Sequence, residues 1–160
     1  MDRAAFAVEQ WARERPDLRT LPMAIFGRLS EAAERVMREH MNPLFAKAGL
    51  QAGEFDVLAT LRRSGKPYTL SPTQLYEAAM ISSGGMTDRL DRLERAGLVL
   101  RRPDPKDRRG KLIVLTDPGK RLIDEAIGRH VANEERVLLS LTQAEQETLD
   151  ALLKKLLAGL

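Results

Sequence analysis

Three cations fall within four residues at Lys106, Arg108 and Arg109, with a carboxylate, Asp107, among them. Lysine and arginine displace counterions from phosphates, so the cluster has the chemistry of a polyanion contact. Asp107 stands two residues before Arg109 and can pair with it and fix its direction. A second group lies upstream. Ser82, Ser83, Gly84 and Thr87 are small or hydroxylated, and Asp91 and Arg95 follow at helical spacing. Small residues in the first turn of a helix let its free N–H groups approach an anion or a base edge closely. The plainer alternatives are a flexible charged hairpin and an ordinary capped surface helix. Charge distribution favours the first reading. Residues 82–121 hold 11 Lys/Arg against 6 Asp/Glu, a local excess of +5 in a chain whose net charge is only +3. A polyanion is the simplest partner for charge concentrated in one quarter of a chain.

Such residues act only if rigid elements present them. Ser71-Pro72-Thr73-Gln74 is a strong helix start: Ser71 can cap, Pro72 suits the first turn, and Gln74 completes a capping box. That helix should end near Met80. Ser82 and Ser83 then cap a second helix, about 82–97, which Gly97 stops. At about 100° per residue, Met86, Leu90, Leu93 and Gly97 cluster on one side, towards a core. Gly84, Thr87, Asp88, Asp91 and Arg95 fall roughly opposite. Two helices across so tight a joint form a helix-turn-helix. After Gly97 the period changes to alternation. Residues 98–102 read as a strand, 111–116 as its partner, and 103–110, polar and proline-rich, as a loop. A helix-turn-helix followed by a hairpin is a winged helix, whose ribbon can lower Lys106, Arg108 and Arg109 into the minor groove beside the reading helix.

The flanks read as helices. A short one, about 4–14, carries Phe6, Val8 and Trp11 among charges, and Pro16 and Pro22 punctuate the approach to a long one, about 23–47. Gly49 is a plausible stop for it and Pro43 a plausible kink. Another helix, about 52–63, carries Phe55, Leu58 and Ala59. Thr116-Asp117-Pro118 starts a long helix towards Leu141, and Thr142 with Glu145 forms a capping box for the last one. There Leu149, Leu152, Leu153, Leu156 and Leu157 make a wide apolar stripe. Terminal helices this rich in leucine are expected to form a shared dimer core, with an intramolecular bundle as the alternative. A two-fold dimer is also what a palindromic operator demands. The expected fold is mainly α with a small β-hairpin wing (α+β). Its parts are 1–48, an extra helix plus a long dimerisation helix; 49–116, the winged helix-turn-helix; and 117–160, further dimerisation helices.

Other classes are disfavoured. Cysteine is absent, which removes disulfides, zinc–thiolate sites and thiol redox chemistry. The only histidines, His40 and His130, lack metal-ligand spacing, and no glycine-rich nucleotide loop or nucleophile elbow occurs. Neither an enzyme nor a bound cofactor or metal is expected. No signal peptide or membrane span is recognisable, so the expected compartment is the cytoplasm and no membrane partner is expected. A structural DNA-packaging protein is a third option, distinguished by a lack of sequence preference.

Several motifs taken in order resemble the MarR family. They are Phe55-Asp56-Val57-Leu58-Ala59-Thr60-Leu61, Met86-Thr87-Asp88-Arg89-Leu90-Asp91-Arg92-Leu93-Glu94, Gly97-Leu98-Val99 and Asp107-Arg108-Arg109, followed by Val114-Leu115-Thr116. The resemblance runs from about Met23 to the C-terminus. It implies a homodimeric regulator that binds double-stranded palindromic operator DNA, usually as a repressor, and lets go when a small aromatic anion binds. A narrower resemblance is to the family's urate-responsive branch, which adds an N-terminal helix. Its pattern implies a urate site from Trp11, Asp56, Arg89 and Arg101. Arginine can pair with the planar anion through its fork, and tryptophan can stack on the ring. Arg89 lies about 60–70° from the centre of its helix's apolar stripe, which suits a cleft behind the helix. Alternatives stay open at each position. Trp11 can be a packing anchor, Asp56 a helix-dipole partner, and the arginines phosphate contacts. An effector of the phenolic, aromatic carboxylate or drug type is the other reading within the family. Asp88 departs from a position where many members carry a basic or amide residue. It would repel phosphate unless it pairs with Arg92 or reads a cytosine amine.

Overall fold

The computed structural model describes residues 2–80 and 85–160, with all their side chains except those of Arg108 and Arg109. The chain divides into two compact units, 1–43 and 44–160.

In the first unit, α1 (Arg3–Glu14) packs against α2 (Leu21–Arg35). Asp2 caps α1 by accepting the Ala5 N–H at 2.9 Å, and the same carboxylate takes Arg28 Nη2 at 2.8 Å. The two helices approach closely at a buried alanine: a Cβ placed on Gly27 would lie 3.0 Å from the Cβ of Ala4. Pro22 lies inside the first turn of α2, where its missing N–H costs nothing. Ahead of Pro43 the helix passes through a π turn over Val36–Met41, in which the Asn42 N–H bonds to the Met37 carbonyl, five residues back. The register therefore changes just before the residue that has no N–H to donate. Helix α3 (Asn42–Lys47) follows. Gly49, at φ 71°, ends it as expected: its N–H bonds to Ala46 O at 3.0 Å and the Leu50 N–H to Phe45 O at 2.9 Å.

The second unit is built around α4 (Ala52–Arg63), which packs on α5 (Pro72–Ala78), α6 (Met86–Arg95), α7 (Asp117–Val137) and the sheet. Val57, Leu58 and Leu61 are fully buried beside Leu75, Leu93, Val99, Ile113 and Ile123. Each contributes on the order of 1.5–3 kcal/mol by leaving water. Phe45 and Phe55 stack with centroids 4.5 Å apart, and the His130 ring lies 4.8 Å from Phe55. That histidine is a packing residue of the core. Ser71 with Gln74 caps α5 reciprocally, and Thr142 with Glu145 does the same for α8 (Gln143–Leu157). Helix α7 stops at Val137, and a 3₁₀ turn over Leu138–Ser140 completes the stretch expected to reach Leu141.

The sheet differs from the expectation in two respects. First, it has three strands in the order β1-β3-β2, because Thr69–Leu70 (β1) pairs with Val114 and Ile113. Second, the proline-rich stretch 103–110 is mostly strand. Strands β2 (Val99–Asp104) and β3 (Asp107–Leu115) run to a turn at Pro105 and Lys106. The register steps from Pro103↔Lys111 to Asp104↔Asp107, so β3 bulges just where its partner strand contains a proline. The reading helix is also shorter than expected. It begins at Met86 after Gly85, whose φ of 77° is easy only for glycine. Ser82, Ser83 and Gly84, expected to form its cap and first turn, lie outside the described residues.

Candidate nucleic-acid interface

Helix α6 buries Leu90 and Leu93 and leaves Thr87, Asp88 and Arg95 exposed, as the helical wheel expects, but Met86 and Asp91 are both half-buried and Gly97, expected towards the core, is exposed beyond the helix end. Its end is tightly specified. Gly97 has φ 70°, its N–H bonds to Glu94 O at 2.9 Å, and the Leu98 N–H reaches Leu93 O at 2.9 Å. This pair of hydrogen bonds, a Schellman motif, turns the chain straight into β2. Thr116 closes the wing's base: its hydroxyl donates to Gly97 O at 2.7 Å and accepts the Gly119 N–H at 3.1 Å. At the tip Lys106 is exposed, and its backbone N–H donates to Asp104 Oδ1 at 2.8 Å. Arg108 and Arg109 lie on β3 beside it. The pairing of Asp107 with Arg109 falls outside the described side chains.

Two arginines fix α6 to its neighbours. Arg101 on β2 donates Nη2 to Asp91 Oδ1 at 2.6 Å and Nη1 to Glu94 Oε2, while its backbone N–H reaches Glu94 Oε1 at 3.1 Å. Asp91, expected at the duplex, and Arg101, expected at a ligand, are thus bonded to each other. The bond to Asp91, with a further contribution from Glu94, raises the Arg101 guanidinium above its ordinary pKa despite partial burial, so it stays charged. On the other side, Arg92 donates Nε to Glu54 Oε1 at 2.6 Å and Nη2 to Gln51 Oε1 at 3.2 Å. Arg92 is therefore engaged with α4, which disfavours its pairing with Asp88, one of the two alternatives left open for that residue. Arg95 Nε bonds to the Asp91 carbonyl at 3.3 Å.

The remaining site residues lie along α4. Arg89 crosses Gly53: a Cβ there would meet Arg89 Nε and stand 2.8 Å from its Cδ. Gly53 and Asp56 are one turn apart on the same face of α4. The carboxylate of Asp56 is buried and accepts the Met80 N–H on Oδ2 at 2.9 Å, with Arg63 Nη1 at 3.9 Å from Oδ1. Arg63 also donates Nη2 to the Ala78 carbonyl. Arg101 engages α6 through Asp91 and Glu94, roughly 140–200° around the axis from Arg89. The two arginines therefore do not converge on one point. Trp11 lies on α1 in the first unit and is 46% exposed.

Glu54, Arg63 and Glu94 were not among the residues read from the sequence. Spacing held a signal for two of them. Arg63 follows Asp56 by seven residues, two turns on one face, and Glu94 follows Asp91 by three. Among the described residues no group of three or more His, Asp or Glu can hold a metal ion. No described helix is long and apolar enough to cross a membrane.

A capped helix-turn-helix that leads directly into a cationic two-stranded wing defines a winged-helix DNA-binding module. Known proteins place it further. The MarR family model matches residues 48–110. The HTH-type transcriptional regulator PecS of Dickeya dadantii (strain 3937) is 46% identical over 146 residues, 91% of this chain and 87% of that protein. Among solved structures, Sco3205 of Streptomyces coelicolor, a MarR family regulator in complex with DNA, superposes with a TM-score of 0.78 at 25% identity, covering 89% of each chain. BpsR of Bordetella bronchiseptica, solved to explain how 6-hydroxynicotinic acid regulates its DNA binding, gives a TM-score of 0.66 at 26% identity over 81% of this chain and 98% of that one. The chain belongs to the MarR family of DNA-binding transcription regulators. It is a regulator and not an enzyme.

Proposed function

We propose that this regulator is a repressor that holds a palindromic operator as a homodimer and releases it when urate or a related purine anion binds. The observation that carries the effector reading is the seat of Arg89. A guanidinium from the reading helix lies over the bare backbone of Gly53, one turn from the buried carboxylate of Asp56. An anion drawn to Arg89 would meet Asp56 as a like charge, and relief of that repulsion requires one of them to move. Since Arg89 belongs to α6, movement there is movement of the reading helix. The resemblance to the urate-responsive branch would assign the aromatic surface to Trp11 of the added N-terminal helix. Arg101 carries a shift of α6 into the wing through Asp91 and Glu94. The bare leucine face of α8 supports dimerisation: Leu149, Leu152 and Leu157 are 41%, 60% and 69% exposed.

The ligand must bind the DNA-incompetent state better, or nothing shifts. Urate titration of the full chain, read by Trp11 fluorescence and by operator retention, tests this. Quenching and release over the same concentration range are expected. Neither effect at saturating urate would sink the effector reading. The same titration with 6-hydroxynicotinic acid tests the rival effector class, which the likeness to BpsR favours.

A further inference from the structure

We propose that Arg63 is a positioning residue for DNA reading, acting with Asp56 as a clasp on the end of α5. The two residues stand seven apart on α4, about two turns and so nearly in line along one face. Their bonds close on consecutive points of one short segment. Arg63 Nη2 donates to the carbonyl of Ala78, the last residue of α5. Asp56 Oδ2 accepts the N–H of Met80 two residues later. Between them Ala79 turns to an extended ψ of 145°, so the helix cannot continue and the Met80 N–H needs a partner outside it. Asp56 supplies that partner from a buried position, and Arg63 Nη1 at 3.9 Å supplies the carboxylate's counter-charge. A cation on the last carbonyls of a helix also opposes the negative end of its dipole.

Only residues 81–85 separate Met80 from the first residue of the reading helix. Pinning Ala78 and Met80 to α4 therefore fixes the chain five residues short of the start of α6. The same α4 holds the other end of the arrangement, through Glu54 on Arg92. The clasp gives Asp56 a structural task in the free protein and makes its carboxylate a point at which the start of α6 can be loosened. The proposal rests on α6 as the DNA reader but not on the identity of the effector.

A different role for Arg63 makes a different forecast. Its side chain is 45% exposed, so it can instead be a phosphate contact. The test compares the full-length wild type with Arg63→Ala, Arg63→Lys and Asp56→Asn, on the duplex the wild type selects from a random pool. Hydrogen exchange of the Met80 amide is followed in the free protein, and operator affinity is measured across salt concentration. The clasp requires faster Met80 exchange in Arg63→Ala, with a global unfolding midpoint that falls but leaves the protein folded at the assay temperature, and an operator affinity lower by about tenfold, the worth of one lost hydrogen bond. The salt slope should not change, and Arg63→Lys, which still donates to Ala78, should recover most of the loss. Asp56→Asn keeps an acceptor for Met80 and should disturb exchange less than Arg63→Ala. Unchanged Met80 exchange in Arg63→Ala overturns the clasp. So does an affinity loss accompanied by a salt slope smaller by about one, which marks a phosphate contact. A wild type that selects no operator refutes the DNA reading itself, whereas exchange in the free protein judges the clasp alone.

Discussion

At Gly53 the guanidinium arm of Arg89 fills the space where a side chain would begin. An alanine there is a better helix former than glycine by up to about 1 kcal/mol, so Gly53→Ala should leave the unfolding midpoint unchanged or raise it. The same methyl group would displace Arg89. The expected outcome is a protein at least as stable as the wild type whose operator release by urate is blunted, checked by denaturation and by mobility shift on one preparation. Equal release in both proteins would show that the seat of Arg89 does not matter. At this scale the helical wheel was informative about direction and silent about partners. It placed Asp91 and Arg95 away from the core, but the bond from Asp91 to Arg101 joins a helix to a strand ten residues on, and a periodicity cannot show that. Arg92, one of two alternatives offered for Asp88, is bonded to Glu54, thirty-eight residues away.

Elements were most legible where a local rule fixes them. The capping boxes at Ser71 and Thr142 and the glycine stops at Gly49 and Gly97 formed as their residue types required. Gly97→Ala forces a Cβ into a left-handed conformation at φ 70° and should cost about 1–2 kcal/mol, read from the denaturation midpoint. What escaped was set by pairing. Strand β1 is two residues long, too short for alternation to register, and exists because β3 offers it an edge. The wing strands extend through a proline-rich stretch because β3 bulges opposite Pro103. One inter-element contact is pH-sensitive. Asp124 on α7 is held below the ordinary carboxylate range by Lys120 first and by Arg62 of α4 second. Its folded pKa is lower than its unfolded one, so its stabilisation is full above the unfolded value, about 3.9. It fades as pH falls through the folded value. Asp124→Asn should accordingly lower stability above about pH 4, by a small amount because the partners are over one third exposed, and converge on the wild type as pH falls, which flattens the acid limb. An unchanged acid limb would remove this contact from the acid-sensitive set.

For the whole molecule, the leucine face of α8 is the feature one chain leaves unfinished. Leu152 and Leu156 are 60% and 36% exposed, and their positions four apart put them on one stripe. If that stripe is the dimer seam, Leu152→Glu with Leu156→Glu removes on the order of 1.5–3 kcal/mol per side chain. Sedimentation should then show monomers at concentrations where the wild type is dimeric, and operator affinity should fall with them. A double variant that sediments like the wild type would move the seam elsewhere. One segment, from Met86 to Arg101, is proposed both to read DNA and to receive a small anion. Operator mobility shift across urate concentration, on the wild type and Arg89→Ala side by side, tests this most directly. The wild type should be released, and Arg89→Ala should bind the operator but ignore urate. A wild type that keeps its operator at saturating urate, or an Arg89→Ala variant released like the wild type, would contradict it.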